Sequence, residues 1–161
     1  MVTQQKGKGF SIIEVVLVLA IAGLIFLMVL IALPPLQRGQ RDQARKNDAS
    51  IVASAVNTLK SANRGGFGTD TNAQLTTKMR QYVDRLDQYE KDTAIVVRDR
   101  SSSPITPGIE QVIVTKQAKC PTTMPAPGSG ITLVAGTSRQ AAVSLRLENN
   151  GSSFQVYCVD V

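Results

Sequence analysis

One carboxylate, Glu14, stands near the start of the apolar run "FSIIEVVLVLAIAGLIFLMVLIALPP", and two cysteines, Cys120 and Cys158, lie far beyond it. A carboxylate in hydrocarbon costs on the order of a few kcal/mol, so it calls for a cationic partner, or for the water and dipole of a helix N-terminus. A cysteine pair supports either one disulfide in an oxidising compartment or two buried thiols. The chain has no histidine, which excludes Ser-His-Asp and Cys-His catalysis. With only two cysteines it also argues against a zinc, haem or iron-sulfur centre, and no cofactor is expected. Acid–base work by a carboxylate pair stays open, because eleven acidic residues follow the run and nothing in their spacing selects two. There is no Walker A loop and no Gly-x-Gly-x-x-Gly after a strand. Gly65, Gly66 and Gly68 read as the turn ending a helix rather than a phosphate cradle.

These residues need elements to hold them. A chain of 161 residues has room for one domain, and its 43% hydrophobic content is ordinary, so the apolar run is a local feature. Val15 to Leu33 is 19 residues without a charge. As a helix it measures roughly 28 Å, close to the approximately 30 Å of a bilayer's hydrocarbon. A cleaved secretory signal is the competing reading, since Ala20-Ile21-Ala22-Gly23 offers a small-x-small site, but cutting there leaves Leu24 to Leu33 as an exposed apolar end. The flanks conflict over orientation. Arg38, Arg41, Arg45 and Lys46 outnumber Lys6 and Lys8, which points the C-terminal part to the cytoplasm. A disulfide would place it outside. The formal charge of +6 falls to +5 from Arg38 onward, a mildly basic remainder compatible with anionic partners.

The residues around Gly9 bear on the conflict. "KGKGFSIIEVVLVLAIAGLIFLMVLIALPP" resembles the class III signal of type IV pilins and pseudopilins: a short basic leader ending in Gly9, then Phe10, then Glu14 inside an uninterrupted apolar helix. The resemblance implies cleavage between Gly9 and Phe10 by a membrane prepilin peptidase, which also N-methylates Phe10. It implies that the part beyond the span lies outside, and that Glu14 neutralises the Phe10 amine of a neighbouring subunit as helices bundle into a filament. A single polar device fixing register in an apolar contact follows the logic of a buried polar residue in a coiled coil. The expected partners are other copies of the chain, that peptidase, an assembly platform with its ATPases, the cytoplasmic membrane before assembly, and an unspecified surface or DNA ligand. Scattered Arg and Lys with few aromatics offer no platform for base stacking.

Pro34 and Pro35 lack amide donors and would collide with the carbonyls of Leu30 and Ile31, so a kink, a melted turn or a plain end of the span is expected there. Beyond them, Leu36, Ala44, Ile51, Ala55, Leu59 and Ala62, broadened by Val52 and Val56, recur on one helical face, with Arg41, Asp42, Arg45, Lys46 and Asp48 mostly off it. Asn63-Arg64-Gly65-Gly66 supplies the stop. Residues 71–89 carry Leu75, Met79, Tyr82, Val83, Leu86 and Tyr89 at helical spacing and predict a second helix. Strands are expected in "TAIVVR", "IEQVIVTK", "ITLVAG", "QAAVSLRLE" and "SFQVYCVDV", the last two joined at Asn149-Asn150-Gly151. The fold class is therefore α+β: a long proline-interrupted N-terminal helix, membrane-spanning in its first half, packed against a C-terminal antiparallel sheet as in pilins. The organisation is a leader at 1–9, a span at 10–36, an amphipathic half-helix at 37–63 and a head at 64–161. In the family, a Cys120–Cys158 bridge would close the C-terminal loop. The expected function is major subunit of a type IV pilus used for adhesion, motility or DNA uptake, a membrane precursor that becomes extracellular. A minor pilin or secretion pseudopilin is the alternative, and a membrane-anchored enzyme or ligand-binding module the reading from another class.

Overall fold

Helix-forming residues dominate the first third of the chain, and in the computed structural model, which describes residues 9–148 and 153–161, they form one element, α1, Ile12–Ala62. The Ser11 carbonyl accepts the amides of Glu14 and Val15 at 3.1 and 3.3 Å and begins the helix. At the far end the amides of Asn63 and Gly65 return to the carbonyls of Leu59 and Lys60, with Arg64 and Gly65 at positive φ. That is the expected glycine stop. The interruption expected at Pro34 and Pro35 does not show as a break, for α1 includes both. Each proline still deprives a carbonyl one turn earlier of its donor, a cost of about 3 kcal/mol or more. Long runs of hydrogen-bonded turns on both sides hold the helical dihedrals across the pair.

The chain divides into two compact units, Met1–Gln37 and Arg38–Val161. In the first, the apolar side chains of α1 lie exposed, Leu24 at 69% and Ile31 at 71%. In the second, α1 buries Ala49, Val52, Val56 and Leu59. This face is rotated from the expected one. Leu36 and Ala62 are exposed and Ile51 only half-buried, whereas Arg45 and Asp48, expected off the stripe, are buried.

Thr71 caps α2, Asn72–Tyr82, in a reciprocal box: its hydroxyl accepts the Gln74 amide while the Gln74 side chain accepts the Thr71 amide. The helix expected to reach residue 89 ends at Tyr82. Val83, Leu86 and Tyr89 are buried nonetheless, because the chain leaves the helix to present the amides of Asp87 and Gln88 to the Asp48 carboxylate, both at 2.7 Å. A single turn, α3 at Lys91–Ala94, leads into β1, Ile95–Asp99.

The remaining strands are β2 (Val112–Lys116), β3 (Ala118–Lys119), β4 (Val134–Ala135), β5 (Ala141–Leu147) and β6 (Gln155–Asp160). The main sheet runs β1-β2-β5-β6, and β3 pairs with β4 in a second, small sheet. The sheet is not wholly antiparallel: β1 and β2 are parallel, and the others antiparallel. The Ser/Pro-rich segment between β1 and β2 is long enough for the crossover that a parallel pair requires. The proposed turn at 149–151 lies outside the described residues, although the β5–β6 pairing it would join is present. Edge strand β1 is sealed by α2: the Thr76 hydroxyl accepts the Val97 amide at 3.0 Å, and Arg80 donates to the Ile95 carbonyl at 3.1 Å.

Alternation along the strands gives the sheet two apolar faces. Val112, Val114, Val143 and Leu145 pack with α1 and α2, while Ile113, Ala142, Val156 and Cys158 pack with Ile105, Ile131 and Leu133 from the loops. The disulfide Cys120–Cys158 binds that loop layer to β6, with its Cα atoms 5.9 Å apart. A separation of 38 residues stabilises the fold by about 4 kcal/mol through loop-closure entropy. Replacing both cysteines by Ala is expected to lower the unfolding free energy by that order, read from the urea midpoint. Non-reducing peptide maps of native protein should recover one cross-linked fragment. Two freely alkylated thiols would refute the bridge.

Candidate functional site

Among the described residues, those at the start of α1 meet only their neighbours along the helix. A Cβ built on Gly9 would have no atom within 4 Å, so packing within the chain does not require glycine there. Phe10 precedes the helix and is 83% exposed. Glu14 lies in the first turn, where the helix dipole favours a negative charge. Together with Phe10, Val15, Val18 and Leu19 it lines a shallow apolar hollow of about 180 Å³. Among the described residues Glu14 makes no ion pair. The junction, the aromatic ring and the carboxylate thus stand within about one helical turn, all open to a partner. Pro34 and Pro35 lie on the same exposed helix, in the same unit. Cys120 and Cys158 belong to the other unit, at the opposite end of the sequence. The helix holding Gly9's successors is long and apolar enough to cross a membrane.

Several carboxylates of the second unit are engaged in holding the fold. Glu148 takes Arg41 at 2.8 Å and Arg45 at 2.7 Å, and its own amide donates to Asp42 at 2.7 Å. The hydrogen bond from Arg41 holds its pKa below the usual glutamate range. The stability it lends is therefore full above that range and is lost as pH falls through the lowered value. Asp99 is held low by Asn72 and then Lys116. Asp48 is driven the other way, since burial raises its pKa against the lowering by two amides. Burial also pushes Tyr89 up to about 12. Among the described residues no group of three or more His, Cys, Asp or Glu side chains is placed to hold a metal ion.

Sequence reasoning missed this network of Arg41, Asp42, Arg45, Asp48 and Glu148. The signal lay in spacing: positions 41, 45, 48, 52, 56 and 59 continue one helical face, with charge at its N-terminal end and apolar residues after it. Arg146 stacks 4.2 Å over Phe154, and Lys46 lies 5.7 Å from the Tyr157 ring. Both are contacts between neighbouring elements of the head. Comparison with known proteins found no matching family model, no matching curated protein and no matching solved structure.

Proposed function

We propose that the chain is the structural subunit of a type IV pilus-like filament, not a catalyst. In this reading a prepilin peptidase cuts after Gly9 and methylates Phe10, and the subunit waits as a single-pass membrane precursor. It is then drawn into an extracellular filament by an assembly platform and its ATPases. One observation carries the reading. A Gly9-Phe10 junction leads into a helix whose exposed apolar side chains and whose Glu14 carboxylate have no partner among the described residues.

Each such side chain gains about 1.5–3 kcal/mol on leaving water. Over the exposed stretch that drive is far too large for a free end in water, so the segment belongs in hydrocarbon or against neighbouring helices. A membrane anchor alone would explain the leucines. It would not explain a carboxylate one turn inside the apolar run, nor a glycine that the fold does not need. The proline pair sits where a filament subunit would lengthen its helix, since two carbonyls there already lack donors.

Processing tests the reading. Intact mass and N-terminal sequencing of surface protein should show a chain beginning at methylated Phe10, and Gly9→Leu should accumulate as the uncut precursor. Because a Cβ at Gly9 has no other described atom within 4 Å beyond its chain neighbours, that block would report the peptidase's requirement and not misfolding. Recovery of surface protein beginning at Met1 would overturn the assignment.

A further inference from the structure

The turn that ends α1 forms one wall of a concave site that the pilin reading does not use. An open pocket of about 280 Å³ is lined by Arg64, Lys116, Gln117, Ser138 and Arg139, with no carboxylate in its wall. Two non-glycine residues at its rim, Arg64 at φ 58° and Gln117 at φ 52°, hold the left-handed conformation, which is uncommon outside glycine. Lys116 already has a partner in Asp99 at 3.0 Å. Arg64 and Arg139 make no ion pair among the described residues. Lys60 approaches from α1, donating to the Arg139 carbonyl at 3.1 Å, and burial lowers its pKa.

These cations are not needed to finish the helix. The carbonyls of Leu59 and Lys60 take the amides of Asn63 and Gly65 at 3.2 and 2.7 Å, so the backbone caps itself. Of the cations lining the concavity only Lys116 has a carboxylate partner among the described residues, so the two guanidinium groups repel each other and an anion relieves that repulsion. Guanidinium groups present paired donors that match the oxygens of a phosphate. The aromatic residue in the wall, Phe67, is buried at 6% exposure and offers no face for a base.

We propose that this pocket binds a phosphate group, gripped by Arg64 and Arg139 with Gln117 and Ser138 as neighbouring donors. The contact is to the oxyanion and carries no base sequence. The phosphate arrives either as a small free anion or as the phosphodiester of a polymer.

The test titrates pyrophosphate calorimetrically into the full chain, held in neutral detergent at low salt. One saturable site per chain is expected, weakening as salt rises. Arg64→Asn with Arg139→Gln should weaken it at least tenfold, Asn being chosen because it tolerates positive φ. Arg85→Gln should leave it unchanged, since that loop packs at Asp48, roughly 18 Å along α1 from Lys60. If melting shows that the double variant has lost its fold, the exposed Arg139→Gln alone carries the comparison. Displacement of pyrophosphate by a short DNA duplex identifies a phosphodiester as the source, and its persistence identifies a small oxyanion. Absence of saturable binding to either, or equal binding by parent and folded variant, overturns the proposal. That failure would leave Gly9 processing untouched, because these residues lie outside Met1–Gln37.

Discussion

Glu14→Ala is expected to leave the membrane level of the protein unchanged and to abolish its filaments. If Glu14 were a tolerated interfacial charge, its removal would favour insertion and do nothing to assembly. The side chain has no hydrogen bond or ion pair of its own among the described residues, so the substitution breaks no contact within the subunit. Alanine is also the best helix former, so the first turn of α1 is not weakened. What changes lies between subunits. On the proposed processing, cleavage after Gly9 would give Phe10 a new positive amine, and a neighbour lacking Glu14 would leave that amine buried without a partner. The penalty is roughly 3–5 kcal/mol per broken pair when fully buried, less where water reaches it. Repeated at every subunit, it stops growth. Glu14→Asp should be intermediate, its shorter arm reaching the amine less well. Filament counts by electron microscopy beside membrane immunoblots, in cells lacking the unmodified gene, decide the matter. Abundant filaments from Glu14→Ala would show that the carboxylate is not the assembly mark.

Much of the architecture was legible because it is written in local pattern. A charge-free run from Val15 to Leu33 announces its helix by composition, and Asn63 to Gly66 announce its end by the one residue type that takes positive φ without strain. The unbroken apolar runs at 112–114 in β2 and 141–143 in β5 announce strands buried on both faces. The rest depended on contacts distant in sequence. Leu86 and Tyr89 keep helical spacing and are buried, yet they are not helical, because Asp48 recruits the Asp87 and Gln88 amides and a local repeat cannot show that. The parallel β1–β2 pair is likewise invisible in strand pattern, which is the same for either direction. The prolines are a different case. Sequence gives the cost of each one but not the length of helix on both sides that carries it. The proposed site at the start of α1 could be put together from sequence alone, since Gly9, Phe10 and Glu14 lie within six residues of one another. The cation pocket was not, because Arg64 and Arg139 are brought together only by the fold.

Asp48→Ala is expected to destabilise the head by several kcal/mol although it removes no apolar side chain. The carboxylate is fully buried and is the acceptor for two consecutive backbone amides, Asp87 and Gln88, each at 2.7 Å. Alanine leaves both donors without their acceptor. An unsatisfied buried donor costs about 1–3 kcal/mol, and the loss is partly offset because a costly buried charge disappears, for a net of about 3 kcal/mol. Against a total of about 5–15 kcal/mol, that is a fall in melting temperature of roughly 10–15 °C. Asp48→Asn should fall in between, its oxygen serving one amide while its own N–H groups face the other. Asn47→Ala is the control one residue away. Its amide reaches Asp87 only at the surface, and it should shift stability by less than about 0.5 kcal/mol. Thermal melts of the full chain in detergent make the comparison, and an Asp48→Ala midpoint within 2 °C of the parent, on the order of the control's shift, would refute the anchor. The pH dependence adds a sign. Burial raises the Asp48 pKa, so the folded state binds its proton more tightly than the unfolded state does. The parent's margin over Asp48→Ala is therefore greatest below the ordinary aspartate range and shrinks as pH rises through the raised value. A margin that grew with pH would mean that the two amides outweigh burial, and that the loop is held by charge rather than in spite of it.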